Sequence, residues 1–528
     1  MDNPLLSKKV IEPREYQTNL YDEAVNQNTL IVLPTGLGKT IIAAMVIAKI
    51  LEEGSGKALF MAPTKPLVGQ HYETMKKLLS LNENEITKFT GEVDNEDRLI
   101  KWVSSKVVVS TPQVVSNDLR NGTVDISKFG IIVFDEAHRA TGNYAYVHVA
   151  SSYLEARKRL ILAITASPGG DRKKFDEVTK ALGIEKVLIK DENSPDVKKY
   201  VNEIKLNVVK IRLPKSVTDT SPYLKALFNQ LVNKLKSHQI LRSTNMSRKV
   251  LASKIPDLIE RAKAGEKALF SFIPYLSAAI RIDYAIEYLE SQGVQIAYDY
   301  IMSILNSEEK TLKRTATLLR NSDDFEILMT KLRSCVETEK SSPKMKAAMD
   351  LSEEVLSQNP ESRIIVFTHF RKTSDILTSY FKENSSHIRP VRFVGQASKE
   401  DDEGMNQKMQ EEILNDFRQG KYNVLVATSV AEEGLDIPST DRVIFYEPVP
   451  SEIRSIQRRG RTGRKHAGDV FILLYEGSRD TGYYYSSLRK ETSMKSNIKR
   501  YETTYEPEKP KKRAEPKKKE KMDLFDFE

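Results

Sequence analysis

Residues 33–40 read LPTGLGKT, a stretch whose residue types suit the grip of a nucleotide phosphate. Gly36 and Gly38 permit a tight backbone, Lys39 can reach the outer phosphates, and the Thr40 hydroxyl is the ligand type that a P-loop offers Mg2+. Pro34, Thr35 and Leu37 complete a loop that leads into a helix, where inward-pointing N–H groups and the helix dipole favour an anion. One residue is out of pattern. The fingerprint G-x-x-x-x-G-K-[ST] asks for glycine at the position of Leu33.

Two further groups answer this loop. Residues 131–138, IIVFDEAH, are an apolar strand ending in paired carboxylates. Asp135 suits the coordination shell of Mg2+, and Glu136 suits the orientation and deprotonation of an attacking water. His138 follows directly and is read as a coupling residue between this site and a facing domain. Near the other end, Gln457–Arg464 reads QRRGRTGR and places Arg461 and Arg464 three residues apart, on one face if helical. An arginine finger of this kind spreads the charge on a transferring phosphoryl group and is worth about 10³–10⁵ in rate. The three groups together predict ATP held between two domains, with Mg2+ bound by Thr40 and Asp135.

These side chains need a scaffold, and the chain supplies its grammar twice. Between 28 and 170, short β-branched runs (29–33, 58–62, 106–110, 130–134 and 160–165) alternate with amphipathic helical stretches. The same alternation returns at 363–368, 388–394, 424–428, 442–446 and 470–475. Such alternation predicts parallel sheets covered by helices. From about 200 to 345, after a strand-like run at 208–212, the pattern is helical, with candidates at 221–239, 250–264 and 275–292. The expected fold class is α/β, with two parallel-sheet domains in tandem and an all-helical insert between them. The boundaries read 1–195, 196–345 and 346–499, followed by a basic, disordered tail at 500–528.

Charge divides along the same lines. The 528 residues carry a net +9. Ten Lys/Arg against three acids lie in 221–270, and eight against three lie in 507–521, so the remainder is slightly acidic. Lys234, Lys236, Arg242, Arg248, Lys249, Lys254, Arg261 and Lys263 thus form a candidate groove for a polyanion. The tail is too poor in apolar residues to fold alone, yet it ends in KMDLFDFE, read as a short docking peptide. Met522 and Phe525 have the spacing of a sliding-clamp-binding box, while Lys519 and Asp526 depart from it. No apolar run approaches the roughly 20 residues of a membrane span, and the first residues lack a signal-peptide core. Cys335 is the single cysteine, which excludes an internal disulfide and fits a reducing, cytoplasmic, nucleoid-associated location.

The ordered motifs resemble superfamily 2 helicases. They are PREYQ (13–17), LPTGLGKT (33–40), APTKPLVGQ (62–70), TGE (90–92), TPQ (111–113), DEAH (135–138), TASP (165–168), FTHFRKT (367–373), ATSVAEEGLDIP (427–438) and QRRGRTGR (457–464). In that superfamily the position of Leu33 is commonly not glycine. FVGQASK (393–399), the EEGLDI form at 432–437 and the helical insert narrow the resemblance to the archaeal Hef and Fanconi-anaemia M family. RIG-I and Dicer helicases, which act on double-stranded RNA, share much of the spelling.

The resemblance implies two RecA-like domains and a set of roles. Gln17 would read adenine with Arg14 beside it, and Gly434 and Asp436 would face ATP from the second domain. Thr64, Thr90, Gly91, Thr111 and Pro112 would hold one strand's phosphates, and Thr368, Arg371 and Thr428 would grip it from the other side. Thr165 and Ser167 would link hydrolysis to strand movement. The implied activity is ATP-dependent 3′→5′ unwinding or translocation on forked or branched DNA in repair and recombination. The insert would hold an arm, and a sliding clamp or repair protein would meet the tail. The alternatives are an RNA-stimulated ATPase and a non-catalytic scaffold for branched nucleic acid. No ERKxxxD signature is present, so nuclease activity is not expected, and the chain is read as either a helicase-only protein or part of a helicase–nuclease.

Overall fold

The structure, a computed structural model, describes residues 3–505 apart from 8–11, 92–94, 156–159, 168–170, 203, 245, 340, 397–403, 432–436 and 450–467. Two parallel sheets organise it. The first contains β1 (Thr29–Val32), β2 (Lys57–Met61), β3 (Ile86–Phe89), β4 (Val107–Ser110), β5 (Phe129–Asp135), β6 (Ile161–Thr165) and β7 (Lys186–Ile189). Their order is β3-β4-β2-β5-β6-β1-β7. The second contains β8 (Ile204–Ile211), β9 (Ile364–Phe367), β10 (Pro390–Phe393), β11 (Val424–Ala427), β12 (Arg442–Phe445) and β13 (Gly468–Tyr475), in the order β10-β11-β9-β12-β13-β8. Strands β1, β2, β4, β5, β6, β9, β11 and β12 are almost wholly buried, because helices cover both faces, and they read as continuous apolar runs.

Three differences from the sequence reading have physical causes. Strands β3 (ITKF) and β7 (KVLI) are short edge strands interrupted by polar residues, Thr87 and Lys88 in one and Lys186 in the other, so their apolar signal is too short to register. Strand β8 precedes the helical insert in the chain yet pairs in parallel along its whole length with β13, the last strand of the second sheet. The second α/β domain therefore begins before the insert, inside the span read as 196–345. Finally, helix Arg479–Thr504 runs past the tail boundary read at 499/500.

The insert, from Lys215 to Thr338, has its own core, centred on Leu224, Leu251, Leu276, Ile282, Leu289 and Leu332. The stretch Lys267–Gln292 is long and apolar enough by composition to cross a membrane, a length that the sequence reading did not credit. Its apolar residues Leu276, Ala279, Ile282, Ile286 and Leu289 are buried in that core.

The insert is joined to the second α/β domain by a buried charge cluster. Lys344, fully buried, places its Nζ 2.5 Å from Asp480 Oδ2 and donates to the Ser291 carbonyl at 3.0 Å. Ser291 Oγ donates to Asp480 Oδ1 at 2.7 Å. Arg479 reaches Asp283 at 2.6 Å, and Thr373 Oγ1 donates to Gln292 Oε1 at 2.8 Å.

Helix Arg479–Thr504 starts in this cluster and ends on the first α/β domain. Its 26 residues extend about 39 Å. Tyr501 stacks on Phe175 with ring centroids 4.4 Å apart, and Tyr505 Oη donates to the Ile184 carbonyl at 2.6 Å.

Candidate functional site

Strands β5, β6 and β1 are neighbours, with Asp135 opposite Ile164 and Val32 opposite Thr165. Their carboxyl ends deliver the three motifs to one place: residues 33–40 after β1, 135–138 at the end of β5, and 165–167 at the end of β6. Ligands of open parallel sheets bind outside such carboxyl ends.

The loop after β1 has the curvature that phosphate binding requires. Gly36 and Gly38 have φ of 81° and 77°, a region that costs an L side chain about 1–2 kcal/mol. A Cβ on Gly38 would also lie 2.4 Å from Gln17 Nε2. That amide donates to the Leu37 carbonyl at 3.1 Å, its Oε1 accepts from Arg14 N–H at 2.9 Å, and Tyr16 Oη donates to the same Leu37 carbonyl at 2.7 Å. Helix Lys39–Glu52 starts at Gly38, so the loop opens onto a helix N-terminus. Lys39 Nζ donates to the Leu33 carbonyl at 2.9 Å and to Pro34 O at 3.4 Å. Leu33 is itself fully buried in the core, with its N–H on the Thr165 carbonyl at 3.0 Å. Its side chain anchors the loop to the sheet, the local reason that glycine is not needed there.

Asp135 is buried, and the His71 imidazole, from helix Lys65–Leu78, lies 2.9 Å from its Oδ2. Burial acts to raise the Asp135 pKa, but the neighbouring His71 and then Lys39 prevail and hold the carboxyl below its ordinary range. His71 lies outside the quoted motif residues. Its ring meets Phe60 of β2 and Asp135 of β5 from a separate helix, so one strand motif could not reveal it.

Glu136 adopts the left-handed conformation, φ 48° and ψ 50°, which costs a non-glycine residue about 1–3 kcal/mol and clusters at functional sites. Its Oε2 is buried, 3.3 Å from His138 Nδ1 and without a hydrogen-bond partner among the described residues. His138 Nδ1 lies 3.0 Å from Thr165 Oγ1, which donates to Ser167 O at 3.0 Å. Ser167 Oγ in turn lies 3.1 Å from Met494 Sδ, on the C-terminal helix. A continuous line of contacts thus joins the carboxylate pair to the helix that bridges the molecule.

The other half of the first sheet, β3-β4-β2, carries the residues read as strand contacts at its carboxyl ends. Thr64 caps helix Lys65–Leu78 by accepting from Leu67 N–H at 3.4 Å. Thr90 is half-buried and Gly91 exposed. Thr111 and Pro112 are buried at the start of helix Pro112–Arg120. These five therefore lie along one end of the sheet, next to the strand end that carries Asp135.

In the second domain Thr368 is fully buried and its Oγ1 donates to Glu447 Oε2 at 3.3 Å; Glu447 also accepts the His369 N–H. The Thr368 side chain is thus a support within the domain and not a surface grip, a correction to its reading as a phosphate contact. Arg371 donates to the Gly395 carbonyl at 2.9 Å, and Thr428 is buried with its N–H on Phe393 O. Gly434, Asp436, Gln457, Arg461 and Arg464 lie outside the described residues.

The insert requires another correction. Arg248 does not face outward. It lies 2.8 Å from Asp283, pairs with Glu287 and stacks over Tyr284 at 3.6 Å. Those carboxylates keep it protonated against the opposing effect of burial. Lys254 reaches Asp257 at 3.2 Å. Lys234, Lys236, Arg242 and Lys249 are exposed.

With this geometry in place, the likenesses to other proteins are specific. The family model "Type III restriction enzyme, res subunit" matches residues 10–170, and "Helicase conserved C-terminal domain" matches residues 345–466. A Methanocaldococcus jannaschii protein, provisionally named an ATP-dependent RNA helicase, is 38% identical over 94% of this chain and 62% of its own length. The ATP-dependent DNA helicase MPH1 of Coccidioides immitis is 32% identical over 91% of this chain and 45% of its own length. The chain thus spans less than two thirds of either relative. The crystal structure of the Pyrococcus furiosus Hef helicase domain matches with a TM-score of 0.71 and 40% identity, covering 92% of this chain and 100% of that one. Its tandem parallel-sheet domains, its phosphate loop and its DEAH strand end agree with that match: the chain belongs to the superfamily 2 helicases, in the family of Hef and the Fanconi-anaemia M proteins.

Proposed function

We propose that the chain couples ATP hydrolysis to movement along DNA, as a 3′→5′ helicase or translocase on forked or branched DNA in repair and recombination. The observation that carries this reading is the placement of Lys39, Asp135 and Glu136 at the carboxyl ends of β1 and β5, which flank β6, with the row Thr64, Thr90 and Thr111 on the far side of β5. Polarity and branch preference rest on the family.

In this reading Lys39 exchanges the Leu33 carbonyl for the outer phosphates, and the N–H groups of residues 36–40 cradle them. Asp135, kept anionic by His71 and Lys39, and the Thr40 hydroxyl suit Mg2+, which would neutralise charge on the phosphates. Glu136, whose Oε2 has no partner among the described residues, orients a water and accepts its proton. Arg461 and Arg464 would complete the site from the second domain, with Gln457, Gly434 and Asp436 beside them. Phosphate contacts at Thr64, Thr90, Gly91, Thr111 and Pro112 position a strand without reading its sequence. Lys234, Lys236, Arg242 and Lys249 offer the insert's basic surface to an arm.

The name of the archaeal relative favours one rival, an RNA-stimulated ATPase. ATPase and unwinding measured on single strands, duplexes, forks, four-way junctions and double-stranded RNA separate the two. Stronger stimulation by forked DNA supports the reading, and stronger stimulation by double-stranded RNA replaces it. The segment KMDLFDFE, outside the described residues, would dock a sliding clamp or another repair protein inside the cell; deletion of 522–528 tests this by loss of clamp binding.

A further inference from the structure

Helix Glu15–Ala24 lies against the segment that joins the two α/β domains, and the contact is aromatic. Tyr200, between β7 and β8, packs on Tyr16 with ring centroids 5.6 Å apart. The Arg14 guanidinium sits over the Tyr200 ring, 4.7 Å from its centroid, and Arg14 Nη1 donates to Tyr16 Oη at 3.4 Å. Lys199 pairs with Glu15 at 2.8 Å beside them. The joining segment therefore supplies the surface on which Arg14 rests.

Gln17 is largely engaged within the protein. Its Oε1 accepts from Arg14 N–H, while its Nε2 donates to the Leu37 carbonyl at 3.1 Å and lies 3.5 Å from Tyr16 Oη. An amide so employed sets the shape of the phosphate loop, and a second lone pair on its Oε1 is left for the edge of a base. The face of the base calls for a different group, and a planar guanidinium stacks on ring systems.

We propose that Tyr200 is a positioning residue for the nucleotide: its ring backs the Arg14 guanidinium so that Arg14 stacks on the nucleobase of ATP. This rests on the reading of residues 33–40 as the ATP site. The ring fixes a side chain that would otherwise sample many rotamers, and the ordering is complete before the nucleotide arrives. Because Tyr200 belongs to the interdomain segment, the base sits on a surface made jointly by the first domain and by the connection to the second.

The test is equilibrium binding of ATP and of tripolyphosphate, each with Mg2+, to the full chain and to Tyr200→Ala, Tyr200→Leu, Tyr200→Phe, Arg14→Ala and Lys39→Ala. Tyr200→Ala and Tyr200→Leu are expected to weaken ATP about 3- to 10-fold, the range of one cation–π contact, and to leave tripolyphosphate unchanged. Tyr200→Phe keeps the ring and is expected to bind ATP as the parent does. The leucine variant retains apolar bulk against Tyr16, so a loss shared by Ala and Leu isolates the ring. Unchanged ATP binding in Tyr200→Ala, or an equal loss for tripolyphosphate, overturns the proposal. Unchanged ATP binding in Arg14→Ala overturns it as well, whereas unchanged ATP binding in Lys39→Ala overturns the ATP-site reading on which it rests.

Discussion

Lys39 Nζ and the Leu33 carbonyl oxygen stand 2.9 Å apart, so the loop's own backbone holds the ammonium that the phosphates would claim. Replacing Lys39 by Ala removes that cation while leaving Leu33, fully buried, to anchor the loop. The expected result is a fall in stimulated ATPase of about 10²-fold or more, the scale of losing one charge-stabilising donor, with nucleic-acid binding retained. Turnover measured beside an electrophoretic binding assay checks it; near-normal turnover would remove Lys39 from the chemistry.

His71 orients and charges Asp135 from a distance of 2.9 Å. His71→Ala is expected to cost about 10- to 100-fold in Mg2+ requirement or activity, the usual effect of removing a ligand's hydrogen-bond partner. Titrating Mg2+ against ATPase rate gives the answer. An unchanged Mg2+ midpoint would mean that Asp135 needs no such support.

Basic residues of the insert should divide into two kinds. Arg248→Ala breaks the pairs to Asp283 and Glu287. Its expected cost is about 1–3 kcal/mol of stability, because the site is only partly shielded from water, with the salt dependence of DNA binding unaltered. Lys234→Ala, Lys236→Ala and Lys249→Ala should leave stability within about 0.5 kcal/mol and reduce the salt slope by about 0.9 for each phosphate no longer neutralised. Thermal melts and binding at several salt concentrations distinguish the kinds. The opposite assignment would return Arg248 to the nucleic-acid surface.

Tyr501→Ala should release the end of the C-terminal helix. Its stack on Phe175 is worth about 0.5–1.5 kcal/mol beyond the area that it buries, and Tyr501→Phe should keep it. Hydrogen exchange across 490–505 reads the outcome, and equal protection in parent and Ala variant would dismiss the contact.

Much of the fold was legible because central parallel strands are apolar throughout: LIV in β1, VVV in β4 and IIVF in β5 announce themselves. The phosphate loop and DEAH were legible for a related reason, since local backbone geometry dictates local residue types. What escaped is non-local. Strand β8 looked like a stray strand because its partner, β13, lies more than 250 residues away. Arg248 looked available because Asp283 and Glu287 face it from a different helix. His71 carried no spacing signal, since its partner Asp135 is reached only across packed layers. Glu447 was missed in the same way, being defined by Thr368 and His369 far back in the chain.

The chain crosses between its two α/β bodies at the segment around Tyr200, and helix Arg479–Thr504 crosses back to reach Phe175 through Tyr501. Tyr200 and Tyr501 therefore mark two separated places at which the two α/β bodies are held to one another, with the Ser167–Met494 contact between them. The buried Lys344–Asp480 pair, which also meets Ser291, fastens the insert to the root of that same helix, so one knot of charge holds three parts of the chain together.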